Sequence, residues 1–328
     1  MKTILITGGA GFVGSNLCHR LIEENRIVCL DNLSSGDIFN ISDLLNHPNF
    51  TFLERDVKMP FDIPCDQIYH LAAHASPKFY LQDPIETSLT ITWGSLNALN
   101  NALKYKATIL LASTSEIYGE PLIHPQPETY FGNVNTVGPR SCYDQSKRWM
   151  ETLGNDYHQK YQLDVKIARI FNTYGPRMSP DDGRVISEML IRGLKREHMF
   201  IYGDGQQTRS FCYIDDLMDQ MTAMMNIKGA GSLNLGNDRE YTILQLAAKV
   251  SNILGYSLKL KFKDALVNDP IRRQPDLTQL KSLGYQASIE IDEGLTRTLH
   301  YFKNIIKETD TNIVEPDFQT ALFIRQSS

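Results

Sequence analysis

Tyr143 and Lys147 stand four residues apart in the stretch SCYDQSK, a spacing that sets both side chains on one face of a helix. A tyrosine with an ordinary pKa of ~10 cannot take a proton at neutral pH unless a nearby cation stabilises its phenolate. Lys147 can supply that charge. Because YxxxK arises often by chance, its meaning rests on its surroundings, and a surface Tyr/Lys pair is the bland alternative. Ser113-Thr114-Ser115-Glu116-Ile117-Tyr118-Gly119 sits at the C-terminal end of an expected strand, where open α/β sheets bind their ligands. Three hydroxyls and a carboxylate there are hard to explain by packing.

A second constellation lies at the start of the chain. Thr7-Gly8-Gly9-Ala10-Gly11-Phe12-Val13-Gly14 follows an apolar run and opens a helical pattern, the context that a dinucleotide-binding loop requires. Glycine is needed where the turn is tight, where backbone approaches a pyrophosphate, and where helix packs on strand. Asp31 ends the second expected strand, where a carboxylate can bind both ribose hydroxyls and would repel a 2′-phosphate, which favours NAD over NADP. The expected cofactor contacts are Gly8, Gly11, Phe12, Val13, Gly14, Asp31, Asn32, Asp56, Val57, Leu71 and Ala72, together with Tyr143 and Lys147.

These residues must be carried by alternating elements. Strands are expected at Thr3 to Thr7, Arg26 to Leu30, Phe50 to Glu54, Gln67 to Leu71, Thr108 to Ser113 and Asp164 to Ile170. Apolar residues at helical spacing mark Gly14 to Glu24, Thr87 to Tyr105 and Tyr143 to Tyr161. This order predicts an α/β fold: a Rossmann-type doubly wound parallel sheet, with a smaller, mostly helical C-terminal substrate domain. The expected division is residues 1–175 for the NAD-binding domain, rejoined by about 212–240 through a strand at Ser232 to Leu235, then 176–306 for the substrate domain and 307–328 as a polar tail.

Composition narrows the class. Hydrophobic residues at 42% and charged residues at 22% of 328 positions are ordinary for a folded enzyme. A net charge of −5 argues against a chain built to coat nucleic acid. Cys18, Cys29, Cys65, Cys142 and Cys212 show no CxxC spacing, so no disulfide frame and no metal site are expected, and free thiols suit a reducing cytoplasm. No run approaches the length of a membrane span.

With the glycine loop, the TSE triplet ahead of YxxxK resembles the extended short-chain dehydrogenase/reductases, in which a tyrosine deprotonates a sugar hydroxyl while NAD removes the hydride. The resemblance covers roughly residues 1–305 and is most similar to the UDP-glucuronate decarboxylases: His70-Leu71-Ala72-Ala73 with Ser76-Pro77, STSEIYG, GPRSCYDQSKR, ARIFNTYGPRM, DDGRV, YGDGQQTRSF, NLGN and Asp269-Pro270-Ile271-Arg272-Arg273-Gln274-Pro275-Asp276 follow in the same order. The family's 4,6-dehydratases have an Asp-Glu pair where this chain has Ser115-Glu116. Serine is a poor acid for expelling hydroxide, whereas decarboxylation needs no leaving-group acid.

The resemblance therefore implies Tyr143 as base for C4 oxidation, Lys147 as its electrostatic support, Thr114 or Ser115 as partners of the C4 oxygen, and Glu116 in charge of protons and water near C5. It implies Arg273 at the sugar's reacting end, and Asn172, Arg184 and Arg209 on the nucleotide sugar or its diphosphate. An NDP-sugar 4,6-dehydratase or epimerase is the alternative. Two departures from the family pattern are Leu89-Thr90-Ile91 in place of Lys-Thr-Asn, and His74 in place of proline. The helices at Thr87 to Tyr105 and Tyr143 to Tyr161 resemble those of a family homodimer interface, with Trp93, Trp149 and Met150 as its candidate seam.

Overall fold

The computed structural model describes residues 1–229, 231–264 and 272–311. In chain order its strands are β1 (Thr3–Thr7), β2 (Arg26–Asp31), β3 (Phe50–Glu54), β4 (Gln67–His70), β5 (Thr108–Thr114), β6 (Val165–Ile170), β7 (Thr173–Tyr174), β8 (His198–Tyr202), β9 (Thr208–Ser210), β10 (Cys212–Tyr213), β11 (Ser232–Leu235), β12 (Glu240–Thr242), β13 (Lys259–Lys263) and β14 (Arg272–Arg273). The α-helices are α1 (Phe12–Leu21), α2 (Pro77–Tyr80), α3 (Pro84–Tyr105), α4 (Ser141–Tyr161), α5 (Val185–Leu194), α6 (Ile214–Asn226), α7 (Ile243–Leu254), α8 (Thr278–Ser282) and α9 (Ile291–Thr311).

Seven strands form one sheet in the order β11-β6-β5-β4-β1-β2-β3, with every neighbouring pair parallel. A parallel sheet needs cover on both faces, and the period-two alternation of its strands supplies two cores. Ile4 and Ile6 of β1 join Leu17 and Cys18 of α1 and Met221 of α6 on one side. Leu5 between them points the other way, into a cluster with Ile91, Ala98 and Leu99 of α3 and Met150 of α4. The strand order reverses beside β1, because β2 lies on one side of it and β4 on the other, and the crevice at those strand ends is where such a sheet takes a ligand.

The fold departs from the sequence expectation in particular places. α3 starts at Pro84, three residues ahead of the expected Thr87: Asp83 caps it by accepting the Glu86 amide at 2.9 Å, and proline at the first position needs no donor. Beyond β6, several strands of two to five residues were not read from the sequence, including β9, which pairs with β12 on one side and β14 on the other. Strands so short have no period to detect. β11 pairs with β6 in the main sheet. The segment expected to be tail from Lys307 is helical as far as Thr311; residues 312–328, and Asp269, Pro270 and Ile271 of the quoted motif, lie outside the described residues. Met150 is fully buried in the intramolecular core, so it cannot belong to an external seam, while Trp93 and Trp149 are exposed.

The entry of α1 is the tightest backbone contact in the sheet's crevice. A Cβ on Gly14 would run into the Gly8 carbonyl oxygen and the Gly9 Cα. Backbone cannot rotate away as a side chain can, so Gly14→Ala is expected to cost about 1–3 kcal/mol, read as a lower urea midpoint with an unchanged m-value.

Candidate active site

The glycine loop is shaped by contacts that exclude side chains. Gly8 has φ of 71°, and a Cβ there would meet Ala72 backbone at 2.8 Å. Gly11 caps α1 in an extended conformation, and no side chain caps that helix end, which leaves its amides and positive dipole end for an anion. Asp31 is buried, and its carboxylate accepts the Ala10 amide at 3.0 Å and the Leu33 amide at 2.8 Å. Burial raises its pKa against the pull of those amides. Asp31 thus ties the loop to β2 as well as facing the crevice.

A cavity of about 960 Å³ opens over this loop, lined by Gly8, Gly11, Phe12, Val13, Gly14, Asp31, Asn32, Val57, Leu71 and Ala72 among others. Of the expected cofactor set, Tyr143 and Lys147 line a neighbouring cavity, and Asp56 lines neither. Its carboxylate accepts the Lys58 amide at 2.8 Å and faces the Lys58 ammonium at 3.4 Å, and it does not line the cavity. Arg55 and His74 do line it, and neither was among the expected contacts. His74 is hydrogen bonded through Nε2 to Ser34 at 3.0 Å.

A second cavity of about 580 Å³ contains Thr114, Ser115, Glu116, Tyr143, Lys147, Asn172, Arg184, Arg209 and Arg273 in its wall. The two cavities share Val13, Leu71, Met178 and Arg184 as lining, so they meet. Arg184 is set at the junction by Asp182, whose carboxylate accepts from Nε at 2.5 Å and from Nη2 at 2.6 Å, and it lies over the Phe12 ring at 5.6 Å. Neither Leu89 nor Ile91 lines either cavity, and Ile91 is a core residue. Leu89 and Ile91 therefore fall outside both cavity walls, whereas His74 lies in the wall of the first.

Helix α4 presents Tyr143 and Lys147 together, with the ammonium 5.8 Å from the ring centroid. Tyr143 is stacked on Tyr80 at 5.2 Å between centroids and is hydrogen bonded to Thr114. Burial pushes its hydroxyl well above the ordinary tyrosine value, with the Thr114 bond opposing. Lys147 donates to the Ala112 carbonyl at 2.7 Å, and burial pushes its pKa down to about 7. His70 is buried between Thr7 Oγ1, 2.8 Å from Nδ1, and Ser95 Oγ, 3.3 Å from Nε2; burial and then Lys147 push it down to about 3, so it is a neutral strut between β1 and α3.

Glu116, in a single 3-10 turn over Ser115–Tyr118, is the charged centre. Arg273 meets it with both terminal nitrogens, one at 2.9 Å and one closer, and Arg140 pairs with its Oε2. Burial would raise the Glu116 pKa, but Arg273 and then Arg140 outweigh it, and the net shift is downward. Arg140 was missed as a site residue, although it stands in the quoted run GPRSCYDQSKR; only the fold reveals that it turns back to Glu116. Asn172, Arg184 and Arg209 gather in the same cavity as expected, from segments far apart in the chain.

With this geometry in hand, residues 4–236 match the model of the family described as "NAD dependent epimerase/dehydratase family". The chain is 46% identical over 295 residues to UDP-glucuronic acid decarboxylase 5 of Arabidopsis thaliana, covering 89% of this chain and 86% of that one. Among solved structures it is similar to a UDP-glucose 4-epimerase from Thermotoga maritima with UDP-glucose, with a TM-score of 0.84 and 30% identity, covering 93% of this chain and 99% of that one. It is also similar to UDP-glucuronic acid 4-epimerase from Bacillus cereus in complex with UDP-glucuronic acid and NAD, with a TM-score of 0.84 and 26% identity over 92% of this chain and 99% of that one.

The Glu116 cluster makes a prediction about stability. Arg273→Met removes the bidentate partner of a buried carboxylate, and at neutral pH it should cost about 3–5 kcal/mol in urea unfolding. Since the Glu116 pKa lies below its ordinary 4.5, the wild type keeps this contribution above that pH and loses it as pH falls through the depressed value. The gap between wild type and variant should therefore narrow on acidification.

Proposed function

The chain belongs to the NAD dependent epimerase/dehydratase family, and from that premise we propose that it is a UDP-glucuronate decarboxylase, converting UDP-glucuronate to UDP-xylose and carbon dioxide. The observation that carries this reading is Ser115 beside a Glu116 that Arg273 and Arg140 hold ionised. Expelling hydroxide from C6 needs a proton donor next to the leaving group, and neither a serine nor an ionised glutamate is one. Loss of carbon dioxide needs a ketone at C4 to take up the electron pair and no acid beside C6. The curated decarboxylase relatives support the same assignment.

The glycine cradle, which a Cβ at Gly8 or Gly14 would fill, and the Asp31 carboxylate at the end of β2 fit NAD. The chemistry NAD would supply there is a reversible hydride store for C4, so that no reduced cofactor would accumulate over a turnover. Tyr143, once ionised, accepts the C4 hydroxyl proton; its bond to Thr114 and the charge of Arg184 favour that form against burial, and the Lys147 ammonium lies 5.8 Å from its ring. Thr114 and Ser115 hydrogen bond the C4 oxygen. Once C4 is a ketone, the C6 carboxylate is a β-keto acid and leaves as carbon dioxide, its electron pair passing into the enolate. Arg273 orients the reacting end. Asn172, Arg184 and Arg209 hold the sugar and its diphosphate, a task suited to the planar, permanently charged guanidinium.

The reading includes a homodimer: α3 and α4 lie side by side, and Trp93 at 54% and Trp149 at 41% exposure offer an apolar seam. No helix among the described residues is long and apolar enough to cross a membrane. A cytoplasmic location goes with the free thiols, four of which are buried.

Incubation with UDP-glucuronate should give a product lighter by the mass of carbon dioxide; an epimerase would return a product of unchanged mass, and a product lighter by one water would mean dehydration. Tyr143→Phe should cut turnover at least ~100-fold while leaving nucleotide-sugar affinity nearly unchanged. Sedimentation at micromolar concentration should find a dimer, and a monomer would remove the seam.

A further inference from the structure

The conversion proposed above, on which this inference rests, consumes a proton. When the bond to the carboxylate breaks, its electrons pass into the enolate, and C5 must then be protonated. Tyr143 returns its own proton to the C4 oxygen. Glu116 is ionised by its two arginines and carries none to give.

Asp144 stands in the first turn of α4, one residue past Tyr143. It is buried, its Oδ1 has no hydrogen-bond partner, and among the described residues its carboxyl makes no ion pair. An ionised carboxylate so enclosed would lose its hydration with nothing in exchange, whereas a neutral carboxylic acid fits. The charged and titratable groups within electrostatic reach are Glu116 from the 3-10 turn, Arg140 from the turn ahead of α4, Arg273 from β14, Tyr80 from α2, and Cys142 and Tyr143 on the same helix. The two cations are already engaged by Glu116.

We propose that Asp144 is the proton reserve of the site: it holds one proton in the resting enzyme, gives it through an intervening water to Glu116 as the enolate forms, and is reprotonated from solvent. Glu116 passes that proton to C5 and ends as the carboxylate it began as, so the step consumes one proton per carbon dioxide released. Asp144 acts through Glu116 and touches no reacting atom. Burial, and next the charge of Glu116, push the Asp144 carboxyl up to about 7 against the pull of Arg140 and Arg273. The reserve therefore empties as pH rises through neutrality.

Asp144→Asn tests this, because the amide keeps the shape and neutrality of the acid but has no proton to transfer. With UDP-glucuronate, kcat should fall at least ~10-fold with KM nearly unchanged, and the fall of kcat on the alkaline side of neutrality should be shallower in the variant, where Lys147 still titrates and Asp144 no longer does. The variant should unfold at or above the wild-type temperature at about pH 8, where the wild type must bury an ionised carboxylate. Without any turnover, infrared difference spectra should show a protonated-carboxyl band in the resting wild type that titrates near neutrality and is missing from the variant. Wild-type kcat and pH profile in Asp144→Asn, or no such band, would overturn the proposal. If the wild type releases no carbon dioxide, the decarboxylase reading falls, and with it the proton's destination, while the infrared titration still decides whether Asp144 stores a proton.

Discussion

A carboxylate withdrawn from water stays ionised only where cations reach it, and Glu116 has two that arrive from different parts of the chain. Arg140 comes from the turn ahead of α4, and Arg273 comes from β14, 157 residues along the sequence from Glu116. To deliver Arg273, β14 is laid parallel to β9 with Arg273 opposite Arg209, which brings a further arginine into the same wall. The exit from β14 is fixed by Gln126, whose amide donates to the Gln274 carbonyl and whose carbonyl accepts from the Asp276 amide, each at 2.9 Å. One buried negative charge thus organises the strand end, the helix start and the late segment that closes the cavity.

The same charge balance decides what its neighbours can be. With both arginines engaged by Glu116, a second carboxylate nearby finds no cation to itself, and Asp144 is driven toward its neutral form. Two buried carboxyl groups within electrostatic reach of each other therefore differ in ionisation: burial disfavours charge on both, and only Glu116 has cations bound to offset it. This is the arrangement by which a site keeps a base and an acid at one pH.

Much of the nucleotide-binding half could be read from residues alone, because its signals are local. The glycine run, the β-branched strands and the acidic residue at the end of β2 each carry a steric or electrostatic requirement that few residue types meet. YxxxK could be read as a pair because four residues on a helix is a fixed distance. The rest of the site depends on contacts between distant segments, which no spacing encodes. Arg140 and Asp144 flank Tyr143 in sequence, yet nothing in the run distinguishes the one that turns to Glu116 from the one left without a partner. Asp56, expected among the cofactor contacts, has its carboxylate paired with Lys58 and lies outside the cavity lining, an arrangement its place in the sequence does not encode. Met150, apolar on a helix that also carries Trp149, was assigned to a seam and lies in the core, because the helix packs its Tyr143, Lys147 and Met150 face on the sheet.

Burial is the first cause acting on nearly every titratable group here, and its sign depends on the group. It pushes Tyr143 and Asp144 up and pushes Lys147 and His70 down, each toward neutrality. Lys147 titrates near neutrality, whereas His70 beneath it stays neutral, and the ordering follows from position: the His70 nitrogens are occupied by Thr7 and Ser95 and it feels Lys147 as a like charge. A protein selected for stability alone would have no reason to bury a lysine, a histidine, a tyrosine and an aspartate within electrostatic reach of one another. Their grouping around an ionised Glu116 is intelligible as a store of protons close to the reacting carbon atoms, held where a small change of local charge can move one of them.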